Sequence, residues 1–203
     1  MTRRTSDEPA FSARQTEPAL GVVEVSSVAR GMVVADAMSK KATIVVVRAA
    51  PVTPGKFVVV VTGGEEDVDQ AMQKALEVAS STLIDKLFLA RVDEQVPRVM
   101  RGEIQQVQVD AVGIVETFSV ASTVLAADRA AKAAEVTLIQ MRLARGLGGK
   151  AYFTLTGSLY HVEAAIEAAR SIIHDGMLLT TEIIPRPHPD FAASLFDPPP
   201  FSR

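Results

Sequence analysis

The chain has 203 residues, of which 48% are hydrophobic and 22% charged, and its formal net charge at pH 7 is −3. This balance is typical of a globular protein, and the length suits one large domain or two domains of about 90 residues each. The small net charge argues against non-specific binding to nucleic acid or to a membrane surface. The chain has no cysteine, which excludes disulfides and thiolate-bound metal sites. No secretory signal or membrane-spanning run is recognisable, so a cytoplasmic protein is expected.

Hydrophobic periodicity predicts the elements of the first half in chain order. A short apolar strand over residues 20–25 is followed by a helix over about 28–41, with Val28, Met32 and Ala35 predicted to face the core. The β-branched residues 43–47 predict a buried strand. We expect the prolines and glycine of residues 51–55 to interrupt that strand before the next one, over residues 56–62.

A second helix and a fourth strand complete this half. Acidic residues Glu65, Glu66 and Asp67 suit the first turn of a helix, where they complement its dipole. Residues 83–90 then predict a strand. The order βαββαβ indicates an α/β (α+β) domain of the ferredoxin-like type, an antiparallel sheet with its helices on one face. The apolar face of the second helix is predicted to comprise Val68, Met72, Ala75, Leu76 and Ala79.

The second half of the chain repeats the first. Three residues recur 92 positions later, as Gly21 with Gly113, Glu24 with Glu116, and Asp36 with Asp128. Beyond two extra residues in the second copy, the pair Gly55-Lys56 recurs as Gly149-Lys150. We therefore predict two tandem domains, residues 19–100 and 110–196, joined by a linker at 101–109. Residues 1–18 and 197–203 are predicted to be disordered tails.

Few residues suggest chemistry. His161 and His174 are 13 positions apart, a spacing that does not bring two ligands to one metal, and His188 lies in a rigid proline-rich segment. The matching carboxylates of the two copies follow from duplication and need no shared site. The glycine-rich run 146–150 lacks a following helix N-terminus for binding phosphate. Without a nucleophile–base set, we expect no enzymatic activity, no metal and no cofactor.

Several segments together resemble the shell proteins of bacterial microcompartments. They are GVVEV with its following helix, ADAMSKKA, the glycine-containing loop between the middle strands, and IIPRPH after the last strand. Two such domains in one chain resemble the tandem-domain, trimer-forming branch, and the element order resembles its non-permuted type. The resemblance covers about residues 19–196 and implies a structural shell tile.

This resemblance implies a homotrimer in which six similar domains form a pseudohexagonal disc around a central pore. The loops between middle strands would line the pore and pass small polar metabolites. Lys56 and Lys150 adjoin these loops and would favour anions if their side chains faced the channel. The implied pore-lining residues are Pro51, Val52, Thr53, Pro54 and Gly55 from the first copy and Gly146, Leu147, Gly148 and Gly149 from the second.

The resemblance also implies contacts at the edge of the tile. Long cationic side chains can reach the backbone carbonyls of a neighbouring tile. The expected partners are further copies of this chain and other shell proteins, both hexameric and pentameric, with no nucleic acid and no membrane. The implied edge residues are Lys40, Lys132, Arg91, Arg186 and His188.

One departure from the family removes a function. The chain is similar to propanediol-utilisation shell proteins in which a Cys-Pro-Gly-Lys loop holds an iron–sulfur cluster. Here that run is Thr53-Pro54-Gly55-Lys56, and a hydroxyl cannot replace the thiolate. No cluster is therefore expected. The alternative function is a tandem ferredoxin-like protein that binds a metabolite and regulates, because one fold serves many functions.

Overall fold

The first half of the chain folds as the sequence predicts in element order. The structure is a computed structural model that describes residues 19–144 and 146–196. The predicted tails at 1–18 and 197–203 lie outside the described residues. A single 3-10 turn, Ser80–Thr82, precedes the last strand of this half. Its other elements are β1 (Ala19–Val25), α1 (Val28–Lys41), β2 (Ile44–Val52), β3 (Lys56–Gly63), α2 (Glu65–Ala79) and β4 (Leu83–Leu89).

The second half repeats this order after a short connecting helix, α3 (Gln95–Met100). A further short helix, α6 (Pro189–Ser194), follows the last strand. Between them lie β5 (Ala111–Thr117), α4 (Val120–Ala133), β6 (Thr137–Leu143), β7 (Ala151–Gly157), α5 (Leu159–Ile172) and β8 (Leu178–Ile184).

Each half forms one four-stranded antiparallel sheet. The strand orders are β2-β3-β1-β4 and β6-β7-β5-β8, so the two sheets have the same topology. In the first half, helices α1 and α2 cover the face that carries Val23 and Val59, and Val34 and Met72 belong to the same buried cluster. The tandem βαββαβ fold is confirmed.

Side-chain capping explains where α1, α4 and α5 begin. Ser27 and Ser119 hold equivalent N-cap positions, and their side chains accept hydrogen bonds from the backbone N–H groups of Arg30 and Ser122. Ser158 caps α5 in the same way. These bonds satisfy donors that have no partner within the helix, and they fix the helix starts in both copies.

The predicted core face of α1 is wrong at Met32, whereas Val28 and Ala35 are partly buried against the core as predicted. The residues that α1 buries are Gly31, Val34 and Met38, whereas Met32 is 57% exposed. The reason is a close approach at Gly31, where an added Cβ would lie 2.4 Å from the Phe57 ring. Helix α1 is apolar on two sides, and only the side that carries glycine can come this close to the sheet.

The predicted interruption at Pro51 is also wrong. Strand β2 continues through Pro51 to Val52, opposite Phe57 and Lys56 of β3. Because β2 lies at the edge of its sheet, a residue without an N–H need not break a hydrogen bond to a further strand. The turn is accordingly shorter than predicted and consists of Thr53, Pro54 and Gly55.

The two halves are packed against each other. Helix α4 contacts β1 and β4 of the first half, and α3 packs on β6 of the second. One buried apolar cluster contains Leu20 and Leu87 of the first half together with Ala121 and Val124 of the second. We call the contact of α4 with β1 and β4 the internal joint. No helix in the part of the chain that the structure describes is long and apolar enough to cross a bilayer.

Candidate functional site

The first implied pore loop is a tight hairpin tip. Thr53, Pro54 and Gly55 are exposed, and the backbone N–H of Gly55 donates to the Val52 carbonyl at 2.9 Å. The Thr53–Pro54 peptide bond is cis, and Gly55 has a φ of 122°. The residues at this tip do not fit a thiolate-bound iron–sulfur cluster, because Thr53 stands in the ligand position and the chain has no cysteine.

The second loop is a glycine-rich turn that touches the first. Gly146, Gly148 and Gly149 have positive φ angles of 72°, 60° and 86°. A Cβ added at Gly149 would lie 2.9 Å from both the Thr53 carbonyl oxygen and the Pro54 ring. The two loops therefore lie side by side within one chain.

The Lys56 ammonium does not face the loops as an unpaired cation. Its ammonium donates to the Glu24 carboxylate and to the Phe118 carbonyl, both at 2.9 Å, and to the Gly149 carbonyl at 3.4 Å. Its side chain is 19% exposed. Lys56 thus connects the first domain, the start of α4 and the second loop, and its charge is balanced by Glu24.

Glu24 lies at the centre of the internal joint and is fully buried. Besides Lys56, it accepts a hydrogen bond at 2.8 Å from the Val120 N–H at the N-terminus of α4, where the helix dipole favours a negative charge. Burial raises the pKa of the Glu24 carboxyl, and the hydrogen bond and charge of Lys56 oppose that rise. The sequence pattern marked Glu24 only as a duplicated residue and did not indicate its role.

A second buried carboxylate completes the polar part of the joint. Asp85 on β4 accepts hydrogen bonds from the hydroxyls of Ser119 and Ser122, the latter at 2.6 Å. Ser119 is the N-cap of α4 and Ser122 lies in its first turn, so the carboxylate again faces a helix N-terminus. Sequence reasoning missed this group, because its partners lie in the other domain.

A further polar contact lies where the first domain ends. Asp128 on α4 accepts a hydrogen bond from the Asp93 N–H at 2.7 Å and an ion pair from Lys132 at 2.8 Å. Lys132 also donates to the Arg91 carbonyl. Two of the implied tile-edge residues, Lys132 and Arg91, therefore meet within one chain. Their role in contacts between tiles stays a prediction.

The equivalent groups of the second domain are more open. Glu116 and Lys150 form the counterpart of the Glu24–Lys56 pair at 3.2 Å, with 31% and 44% of their side chains exposed. Lys40 pairs with Asp36 at 2.6 Å on the outside of α1. The matching carboxylates thus occupy separate sites, as duplication implies.

The remaining implied edge residues and the histidines lie at the surface. Arg186 and His188 are exposed, and the His188 Nδ1 accepts the Asp190 N–H at 3.3 Å at the start of α6. His161 lies near the Tyr160 ring and His174 is exposed after α5. Within the described residues, no group of three or more histidine, aspartate or glutamate side chains could hold a metal ion.

Comparison with known proteins gives a consistent result. The BMC domain family matches this chain twice, over residues 19–92 and 111–187. The bacterial microcompartment shell protein PduT of Citrobacter freundii is 38% identical over 171 residues, which are 84% of this chain and 93% of PduT. These matches favour the shell protein over the metabolite-binding regulator.

Solved structures show the same fold. A microcompartment protein of Desulfitobacterium hafniense DCB is 36% identical with a TM-score of 0.77, covering 88% of this chain and 99% of its own. The fused permuted hexameric shell protein MSM0275 of the RMM microcompartment has a TM-score of 0.59 at 19% identity, covering 80% and 84% of the two chains. The second likeness concerns the fold alone.

Proposed function

This chain belongs to the BMC domain family of bacterial microcompartment shell proteins, and we propose that three copies close into a ring of six domains that forms one tile of a shell. The observation that carries the ring is a difference between two equivalent helices. Val124 of α4 is fully buried in the internal joint, whereas Met32, at the same position of α1, is 57% exposed. Such an apolar surface calls for a partner.

The internal joint supplies the geometry of the ring. It is heterologous, since α4 of the second domain meets the sheet of the first, and such contacts form closed rings when the rotation closes. Repeating the same contact brings α1 of one chain onto the sheet of the next chain's second domain. Three chains then contribute six domains.

The two hairpin loops are proposed to line the centre of this ring. Thr53 contributes a hydroxyl, whereas residues 146–149 contribute mainly backbone groups, so the pore alternates between two chemistries. Lys56 adds no unbalanced charge, because its ammonium is paired with Glu24. The constriction is therefore polar and suits small polar metabolites. The residues carried into this proposal are Pro51, Val52, Thr53, Pro54, Gly55, Gly146, Leu147, Gly148 and Gly149.

The rim of the tile is proposed to contain the cationic residues where two domains meet. Lys132 and Arg91 lie there in the internal joint, and Lys40, Arg186 and His188 occupy equivalent or adjacent positions. Neighbouring tiles, including hexameric and pentameric shell proteins, are the proposed partners. The protein is proposed to act without catalysis.

The ring and the pore are tested separately. Native mass spectrometry and electron microscopy of the purified chain should show trimers and then sheets, and a chain that stays monomeric would contradict the ring. Thr53→Trp should slow entry of a small polar metabolite into assembled shells, while Thr53→Ser leaves entry close to normal. Equal entry rates for the two variants would exclude Thr53 from the pore.

A further inference from the structure

The registers of the two sheets define which residues are equivalent at the joint. In the first domain Glu24 lies opposite Asp85 and Val22 opposite Leu87, while in the second Glu116 lies opposite Thr180 and Ile114 opposite Glu182. Thr180 is thus the counterpart of Asp85. Glu182 is the counterpart of Leu87.

The capped helix starts define the other side of the joint. Because Ser27 and Ser119 are equivalent N-caps, each residue of α1 corresponds to the residue of α4 that lies 92 positions later. Arg30 is therefore the counterpart of Ser122. Met32 is the counterpart of Val124.

In the internal joint these positions are buried, and the one carboxylate among them, Asp85, is hydrogen-bonded. Ser122 donates to the Asp85 carboxylate at 2.6 Å. Leu87 is 5% exposed and Val124 fully buried, and both belong to one apolar cluster. Nothing charged at these four positions is left without a partner.

Two of the counterpart positions, those of Arg30 and Glu182, are solvent-exposed and carry opposite charges. Arg30 and Glu182 are both exposed, and neither forms an ion pair with another described residue of the chain. One carries a cation on α1, and the other carries an anion on the sheet face that would receive it. Their charges are complementary in the arrangement that the internal joint prescribes.

We infer that Arg30 of each chain pairs with Glu182 of the partner subunit across the joint between chains, beside a packed Met32. This inference rests on the proposed ring and adds the residues that select its contact. Thr180 and Glu182 point to the same face of β8, about 7 Å apart along the strand. Arg30 of α1 stands at the position that Ser122 holds in α4. Its long side chain can span the distance from there to the position that Leu87 holds in the internal joint.

Burial makes the pairing selective. Leu87 is almost fully covered in the internal joint, so Glu182 would lose water in the joint between chains and needs a cation there. Helix α4 carries serine at this position and offers none, whereas α1 offers Arg30. The second domain is therefore specific for the first domain of another chain, which is the head-to-tail order that a ring requires.

Charge reversal tests the pair. Arg30→Glu and Glu182→Arg should each raise the dissociation constant of the trimer at least about tenfold, measured by analytical ultracentrifugation over a concentration series. Combining the two should restore association to near the wild-type value. Arg170→Glu and Glu167→Arg on α5 make the same charge changes away from the joint and should leave association unchanged.

The outcomes separate this pair from the ring itself. A wild-type trimer whose association is unaffected by either reversal would overturn the pair and leave the ring standing. Failure of the double variant to recover would also overturn the pair. A monomeric wild-type chain would overturn the ring and the pair together. Far-UV circular dichroism should show native folding for each variant, because both side chains are exposed in the single chain. The milder variant Arg30→Gln provides a second test and should also weaken association.

Discussion

Lys56 shows how one side chain can hold two domains together. It is the only described lysine that bonds to both domains at once through a buried carboxylate of one and two backbone carbonyls of the other. Its partner Glu24 has no exposure to water. An ionised carboxylate in such surroundings depends on that ammonium and on the N-terminus of α4.

Removing the ammonium should therefore destabilise the whole chain. We expect Lys56→Met to lower the free energy of unfolding by about 3 kcal/mol or more, because it leaves a buried charge without its partner. Urea unfolding at one fixed protein concentration measures this loss. Lys74→Met, which breaks the exposed pair with Glu77, should cost less than about 1 kcal/mol and is the control.

A double variant shows whether the unpaired charge of Glu24 causes the loss of stability. Glu24→Gln combined with Lys56→Met removes the unpaired charge and should recover part of the loss. If the double variant is as unstable as Lys56→Met alone, then lost packing of the lysine stem explains the effect.

The raised pKa of Glu24 determines the direction in which stability changes with pH. Since the folded chain holds this proton more tightly than the unfolded chain, the resulting contribution to stability is complete below the ordinary pKa of 4.5 and is lost as pH rises through the raised pKa. Glu24→Gln has no such proton. Urea unfolding should therefore show the wild type losing stability relative to Glu24→Gln between pH 4.5 and 7, and a constant difference would contradict the raised pKa.

The sequence could not predict these roles for a physical reason. The strand that carries Glu24 was predicted correctly from local apolar character, but its burial depends on α4, which lies about 96 residues away. Periodicity reports which residues share a face, and it does not report what a second domain brings to that face. Asp85 was missed on the same grounds.

At the scale of elements, the two hairpin loops act as one feature. The first loop is a three-residue tip, and the second is a turn in which three glycines adopt positive φ angles. They come together at Gly149, where a side chain would meet the Thr53 carbonyl and the Pro54 ring. The glycine there serves contact between domains as well as backbone shape.

Two matched glycine substitutions distinguish the effect of the contact between domains from the effect of backbone conformation. Gly149→Ala and Gly146→Ala both place a Cβ at positive φ, but an added Cβ at Gly146 meets nothing within 4 Å. We expect Gly149→Ala to lower the free energy of unfolding by about 1–2 kcal/mol more than Gly146→Ala. Equal losses in urea unfolding would mean that the loops move apart without cost.

Helix α1 shows which features of an element can be predicted from sequence and which cannot. Its start and end agree with the periodicity and with the cap at Ser27, because both depend on neighbours in sequence. Its buried face agrees only in part, because Met32 and Val34 are both apolar and only tertiary contact decides which of them is buried. The same holds for β2, where the edge position admits Pro51.

For the whole molecule, equivalent helices give a matched pair of substitutions. Val124→Asp places a carboxylate inside the internal joint and should cost about 3 kcal/mol or more of folding free energy. Met32→Asp makes the same kind of change on the exposed face of α1 and should leave the folding of the single chain intact while lowering trimer formation. Urea unfolding and ultracentrifugation measure the two effects, and normal trimers of Met32→Asp would contradict the proposed ring.

The covalent linker after α3 has a consequence for how a ring would assemble. Half of the joints in a ring of three such chains form within a chain, where the second domain is held near the first at an effective concentration in the millimolar range. Three chains come together in two encounters in solution, after which the last joint closes within the assembly, whereas six separate domains need five encounters. A chain that carries two domains should therefore complete its ring at lower concentrations than separate single domains with the same contact surfaces.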